Sequence, residues 1–192
     1  MTTRLMKALL EKGDHNVCDI KTNSDRLRPL VNGGVLDLSG VKVDYLDNGA
    51  LVMADGWTEY KNEKRRKLVP YDNSTGKKVY LLKSAEEFEL ARLSNVAPQG
   101  YEDFFNEDGE LVDAFYSSAG DLRFETTMFD FVAGKTEATE GDEVYWNSTS
   151  FKYIVGDASA ETNCTLVGEV VDADPLFAKA LGRPAVTIEL AI

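Results

Sequence analysis

The chain has 192 residues, 43% of them apolar and 28% charged, which supports one good-sized domain and excludes wholesale disorder. No apolar run approaches the roughly 18–20 residues needed to cross a bilayer, and residues 1–14 lack a signal-peptide core, so synthesis in the cytoplasm and no membrane partner are expected. The net charge of −12 is uneven: residues 1–83 carry 15 Lys and Arg against 11 Asp and Glu, whereas residues 84–192 carry 6 against 22. Such an acidic second half repels nucleic acid and anionic membranes at long range, so nucleic acid is not an expected partner and any acidic surface is met by the first half.

Residues 1–30 read as an extended arm. Leu5, Met6, Leu9 and Leu10 allow a helical turn or two, after which Gly13, Asn16 and the polar run at 21–25 sustain no period. The arm is either a frayed terminus or a segment that orders on a partner, with Leu27, Leu30 and Val31 as anchoring surface. From 35 the alternation becomes regular. Short strands are predicted at 35–38, 41–45 and 50–53, with Asn48-Gly49 as a hairpin turn, since both central residues of that turn need positive φ. Asp44, Asp47 and Asn48 lack the spacing of a calcium loop.

The run KNEKRRK at 61–67 places Lys61, Lys64, Arg65, Arg66 and Lys67 together, near Trp57 and Tyr60. A solvated loop or charge-guarded edge strand, a phosphate-binding patch and a dock for an acidic protein surface all fit this pattern. Strands at 68–71 and 78–82 flank a second turn-rich hairpin at 72–76. Ser84 and Glu87 open a helix that ends before Pro98, and a second short helix is expected at 174–182, capped by Asp174 and stopped by Gly182. Strands recur near 104–112, 114–116, 122–126 and 129–131. A tight hairpin then joins 144–146 to 151–155 through 147–150, followed by a strand at 164–171 in which Gly168 marks a bend or bulge, and a closing strand at 185–192.

Little in this pattern is chemically armed. His15 and Cys18 lie in the arm without an orienting third group, and the two cysteines form no metal set, so no catalytic residue, cofactor or metal is expected. Asn73, Asn147 and Asn163 begin N-x-S/T triplets that read as turn sequences. Tyr145, Trp146 and Tyr153 offer an aromatic surface that fits a protein interface or a sugar. The expected fold is mainly β: a compact antiparallel β-sandwich or barrel-like body with two short helices and an extended N-terminal arm. It divides into an arm at 1–30, a basic-to-neutral β region with a short helix at 31–100 and an acidic β body at 101–192.

The order Val132-Ala133-Gly134-Lys135, Gly141-Asp142-Glu143-Val144-Tyr145-Trp146, Val167-Gly168-Glu169-Val170-Val171-Asp172-Ala173 and the strand at 185–190 resembles small β-rich cement proteins that decorate tailed-phage capsids. The resemblance implies a non-enzymatic virion protein, made in the host cytoplasm, that sits on the capsid surface, binds the major capsid protein and forms a homo-oligomer, a dimer or trimer. A tail, neck or fibre-base component is the alternative, and a carbohydrate-binding module a third. The contact residues expected are Leu27, Leu30, Val31, Lys61, Lys64, Arg65, Arg66, Lys67, Tyr145, Trp146 and Tyr153. Removal of 1–30 is expected to weaken attachment and leave the body folded.

Overall fold

Sixteen short strands and no helix make up the residues described by a computed structural model, namely 15–22, 26–84, 105–117, 121–175 and 182–191. Both predicted helices, at 84–93 and 174–182, lie largely outside the described residues, as do Leu5, Met6, Leu9 and Leu10. The strands assemble into two seven-stranded sheets and one two-stranded ribbon.

The first sheet takes β1 (Cys18–Ile20), β11 (Leu122–Thr126), β12 (Phe129–Phe131), β13 (Glu143–Asn147), β14 (Lys152–Val155), β15 (Cys164–Asp172) and β16 (Val186–Leu190), in the order β1-β11-β16-β15-β13-β14-β12. The predicted hairpin is its most local feature. Asn147 Oδ1 accepts the Thr149 and Ser150 amides at 2.9 and 3.0 Å, the side-chain turn that Asn favours. That turn sets Trp146 opposite Tyr153 and Tyr145 opposite Ile154. The closing strand β16 is central, between β11 and β15.

The second sheet takes β2 (Leu27–Pro29), β3 (Gly34–Leu36), β5 (Leu51–Tyr60), β6 (Glu63–Pro70), β7 (Val79–Leu82), β9 (Leu111–Val112) and β10 (Ala114–Ser117), in the order β2-β10-β7-β5-β6-β3-β9. β4 (Tyr45–Leu46) and β8 (Asn106–Glu107) form the ribbon. One buried cluster draws on both sheets, including Leu51, Leu68 and Leu81 from one and Trp146, Tyr153 and Ile188 from the other. Each such fully buried aliphatic side chain contributes about 2 kcal/mol. Buried hydrogen bonds tie the first sheet to residues flanking the second: Trp146 Nε1 donates to the Tyr71 carbonyl at 2.9 Å, and the Tyr153 hydroxyl donates to the Gly49 carbonyl at 2.8 Å.

Several expectations are corrected. The sheets are mixed rather than antiparallel, because β3 pairs with β6 and β12 with β14 in parallel. The turn-rich stretch at 72–76 closes no hairpin: β6 and β7 both pair with β5, whose buried Leu51, Val52 and Met53 lie between them. Residues 41–44 form bends instead of a strand. Asn48-Gly49 is no hairpin turn either, since β4 pairs with β8 rather than β5. Asn48 is wholly buried, and its side chain bonds both backbone groups of Ser84. Pairing also joins residues on either side of position 100, since β9 and β10 pair with β2, β3 and β7.

The largest correction concerns the arm. His15, Asn16, Val17 and Cys18 are buried, β1 extends the first sheet beside β11, and β2 extends the second beside β10. Asn16 Oδ1 accepts Thr126 Oγ1, the Thr127 amide and Thr127 Oγ1 at 3.0, 2.8 and 2.9 Å. Deleting residues 1–30 therefore strips a strand from each sheet and opens the core. The expected result is loss of the cooperative urea transition; a truncated chain that unfolds at the full chain's midpoint would overturn the assignment of these strands.

Candidate functional site

The β5–β6 hairpin reaches beyond its neighbours. β7 covers only Leu51–Met53 of β5, and β3 covers Arg66–Leu68 of β6, so the pairs Thr58–Arg65, Glu59–Lys64 and Tyr60–Glu63 have only each other. Its two-residue turn, Lys61-Asn62, has φ of 48° and 68°, the left-handed pair that matches strand twist. At its base, Asp55 and Gly56 stand opposite Lys67 alone, with Gly56 at φ 84°. A bulge of this kind sharpens the local twist and re-aims the next side chain along the strand.

That side chain is Trp57, 60% exposed, with the Arg66 guanidinium stacked 4.1 Å from its ring centroid. A large exposed indole capped by a cation is unusual for a plain surface and resembles the centre of an interface. Beside it stands the turn at 30–33, closed by the Gly33 amide donating to the Leu30 carbonyl at 3.0 Å, with Asn32 at φ 65°. Val31 is at its tip, 79% exposed. Arg65 ties the two projections together: one guanidinium nitrogen donates to the Asn32 carbonyl at 2.6 Å, and another pairs with Glu63. Behind them Tyr80 and Tyr116 meet edge to face at 5.7 Å, and Lys78 Nζ lies 3.0 Å from the Tyr116 ring centroid. These groups surround an open cleft of about 340 Å³.

Here the structure gathers Leu30, Val31, Lys64, Arg65 and Arg66, with Lys61 at the hairpin tip. Leu27 and Leu30 are half-buried against the common core, which leaves Val31 as the apolar contact. Lys67 is engaged elsewhere, 3.0 Å from Asp37 and 3.7 Å from Asp55. Two bonds from Ser39, together with Lys67, hold the Asp37 carboxyl down at about 2. Tyr145, Trp146 and Tyr153 are not a surface at all. Trp146 and Tyr153 are wholly enclosed in the common core, and Tyr145 lies under Ile154 and Ala158 on the other face of the first sheet. The sugar-binding reading loses its aromatic groove with them. Lys78, Tyr80 and Tyr116 were missed, because strand pairing alone brings 78–80 and 116 beside Trp57.

The platform offers ammonium and guanidinium donors and aromatic faces, with the Glu63 carboxylate paired to Arg65. It suits a protein surface that is acidic and carries an apolar knob or pocket. Elsewhere, His15 is 1% exposed, with Nδ1 2.8 Å from Asp47 Oδ1 and its ring against Tyr45 and Phe105. Asp47 Oδ2 also accepts the Asn16 amide at 3.0 Å, so this carboxylate is spent on structure. Burial and the nearby Glu161 push the Cys164 thiol up to about 11, which keeps it protonated at neutral pH.

Comparison with known proteins agrees in one direction. The family described as YonC prophage protein matches residues 11–191. The SPbeta prophage-derived uncharacterized protein YonC of Bacillus subtilis (strain 168) is 29% identical over 160 residues, which cover 83% of this chain and 79% of that protein. No solved structure matches.

Proposed function

The chain belongs to the YonC prophage protein family and is a phage protein, and from that premise we propose that it is a non-catalytic structural component of the phage particle, a cement or decoration protein on the capsid lattice. The observation that carries this reading is the platform: an exposed Trp57 stacked under Arg66, beside the exposed Val31, on a hairpin that reaches past its own sheet. A cement protein needs a stiff body and a projecting contact, and both are built here from strands. The major capsid protein supplies the shell. Each copy makes a modest contact, and a repeating lattice multiplies it through effective concentration.

Lys64 and Arg66 steer the approach to an acidic surface and fix its register, while Trp57 and Val31 supply the buried area. Replacing Trp57 by alanine is expected to weaken attachment by about 2 kcal/mol, roughly 30-fold, without changing the thermal midpoint. The measurement is copy number on purified particles, by electron microscopy and quantitative mass spectrometry, with the unmodified chain and Trp57→Ala. Absence of the chain from purified particles, or equal occupancy by the Trp57 variant, sinks the proposal.

A further inference from the structure

The register of the first sheet places a second surface on the same molecule that complements the platform. Glu143 stands opposite Glu169, and Glu169 opposite Glu189, across the adjacent strands β13, β15 and β16. All three face outward, because their strand neighbours Val144, Val170, Ile188 and Leu190 are core residues. Carboxylates directly opposite one another destabilise a sheet. Arg123, paired with Glu189 at the end of the row, offsets part of that cost, and the Tyr145 hydroxyl donates to Glu143 at 2.9 Å. Alongside the row, opposite Tyr145, Leu166 is 51% exposed.

We propose that the acidic surface taken by the platform is the outer face of the first sheet of a second copy of this chain, with Lys64 and Arg66 over the Glu143–Glu169–Glu189 row and Trp57 against Leu166. This deepens the cement reading, and rests on it for its setting on a particle: copies link to copies across the shell. Three features favour a second copy over another acidic protein. One chain carries both halves of the contact, and they lie on different sheets. The charge division follows the same line, with a basic first half and an acidic second half.

The dimensions also agree. Two residues apart on one strand face is about 7 Å, the spacing of Lys64 and Arg66, and three adjacent strands span about 10 Å, the length of the acidic row. Such a contact joins unlike surfaces, so it is heterologous and adds copies head to tail rather than closing as a two-fold dimer. The net charge of −12 opposes association at long range. At about 0.15 M salt the screening length is about 8 Å, so whole-body repulsion is damped while the direct contact persists.

The test is sedimentation velocity of the full chain, without particles, at several concentrations. The samples are the unmodified protein, a hairpin variant (Lys64→Glu with Arg66→Glu), a face variant (Glu143→Lys with Glu169→Lys) and an equal mixture of the two variants. The unmodified chain is expected to grow with concentration into species larger than a dimer. Each variant alone repels itself and is at least about tenfold weaker in association. The mixture recovers, because each acidic surface again meets a basic one. Matched thermal midpoints check that all of these chains are folded. A monomeric unmodified chain at every concentration, variants that associate like it, or a mixture that does not recover would each overturn the proposal. Particle occupancy measured on the same proteins keeps the two readings apart. Platform-dependent attachment without self-association leaves the cement role and removes this partner, whereas self-association by a chain absent from particles does the reverse.

Discussion

Asn48→Ala is expected to cost about 3 kcal/mol or more and to lower the thermal midpoint by roughly 6–12 °C. Asn48 is wholly buried and its amide imitates a strand partner: Nδ2 donates to the Ser84 carbonyl at 3.1 Å, and Oδ1 accepts the Ser84 amide at 2.9 Å. Oδ1 also receives Asn106 Nδ2 at 3.2 Å, and the Asn48 carbonyl is bonded by Asn16 Nδ2. Alanine keeps the backbone carbonyl bonded by Asn16 but leaves the Ser84 amide and carbonyl without their side-chain partner, and each unsatisfied buried group costs about 1–3 kcal/mol. An exposed turn residue would cost no more than about 0.5 kcal/mol, so urea denaturation separates the buried bridge from a hairpin turn. Asn48→Asp sharpens the test through its pH dependence. Aspartate keeps the shape but loses the donor to Ser84 and buries a charge, which raises its folded pKa above the unfolded value near 3.9. The raised carboxyl binds a proton in the native state before it does so unfolded. Destabilisation of this variant is therefore largest at neutral pH and is relieved as pH falls toward the folded pKa. A penalty independent of pH between 7 and 5 would contradict the burial of this side chain.

Asn48 also shows where the sequence ceases to be legible. Asn-Gly is read as a turn because both residues tolerate positive φ, and Gly49 does adopt φ 90°. The same amide can instead satisfy a distant backbone, and only the approach of Ser84 decides between the two. The hairpin through 147–150 was legible because its cap, its alternation and its partner strand all lie within a dozen residues. β1 and β2 were not, since three-residue strands show no period and their partners sit about a hundred residues away, Cys18 opposite Thr126 and Leu27 opposite Ser117. The aromatic surface expected of Tyr145, Trp146 and Tyr153 ignored the strand alternation that sends Tyr145 and Trp146 to opposite faces, and no local pattern records that a loop carrying Ala158 packs on Tyr145. The basic run was legible as charge. Its projection beyond the sheet depends on where β3 and β7 stop, which no local pattern records.

Gly168→Ala is expected to be among the most damaging single-methyl additions in the chain, at about 3 kcal/mol or more. A Cβ at Gly168 would lie 2.0 Å from the Glu189 carbonyl oxygen and 3.0 Å from Leu190 Cα, both backbone atoms that no rotamer change can move. Gly168 sits at the bulge where β13 slips register against β15, the site where an interior glycine in the sequence predicted an irregularity. To admit the methyl group, β15 and β16 must separate. Separation loosens the bond from the Ala191 amide to the Val167 carbonyl at 2.8 Å and shifts Val167 and Val170 in the core. Leu166→Ala, two residues away on an exposed side chain, is the control, with a change within about 0.5 kcal/mol. Guanidinium denaturation of the two variants reads the difference, and equal midpoints would show that the strands do not approach as closely as this. The close approach has a functional side as well. It is the contact that seats Glu169 against Glu189, so the glycine that binds the two strands together also builds the row of charge proposed above as the dock for a neighbouring hairpin.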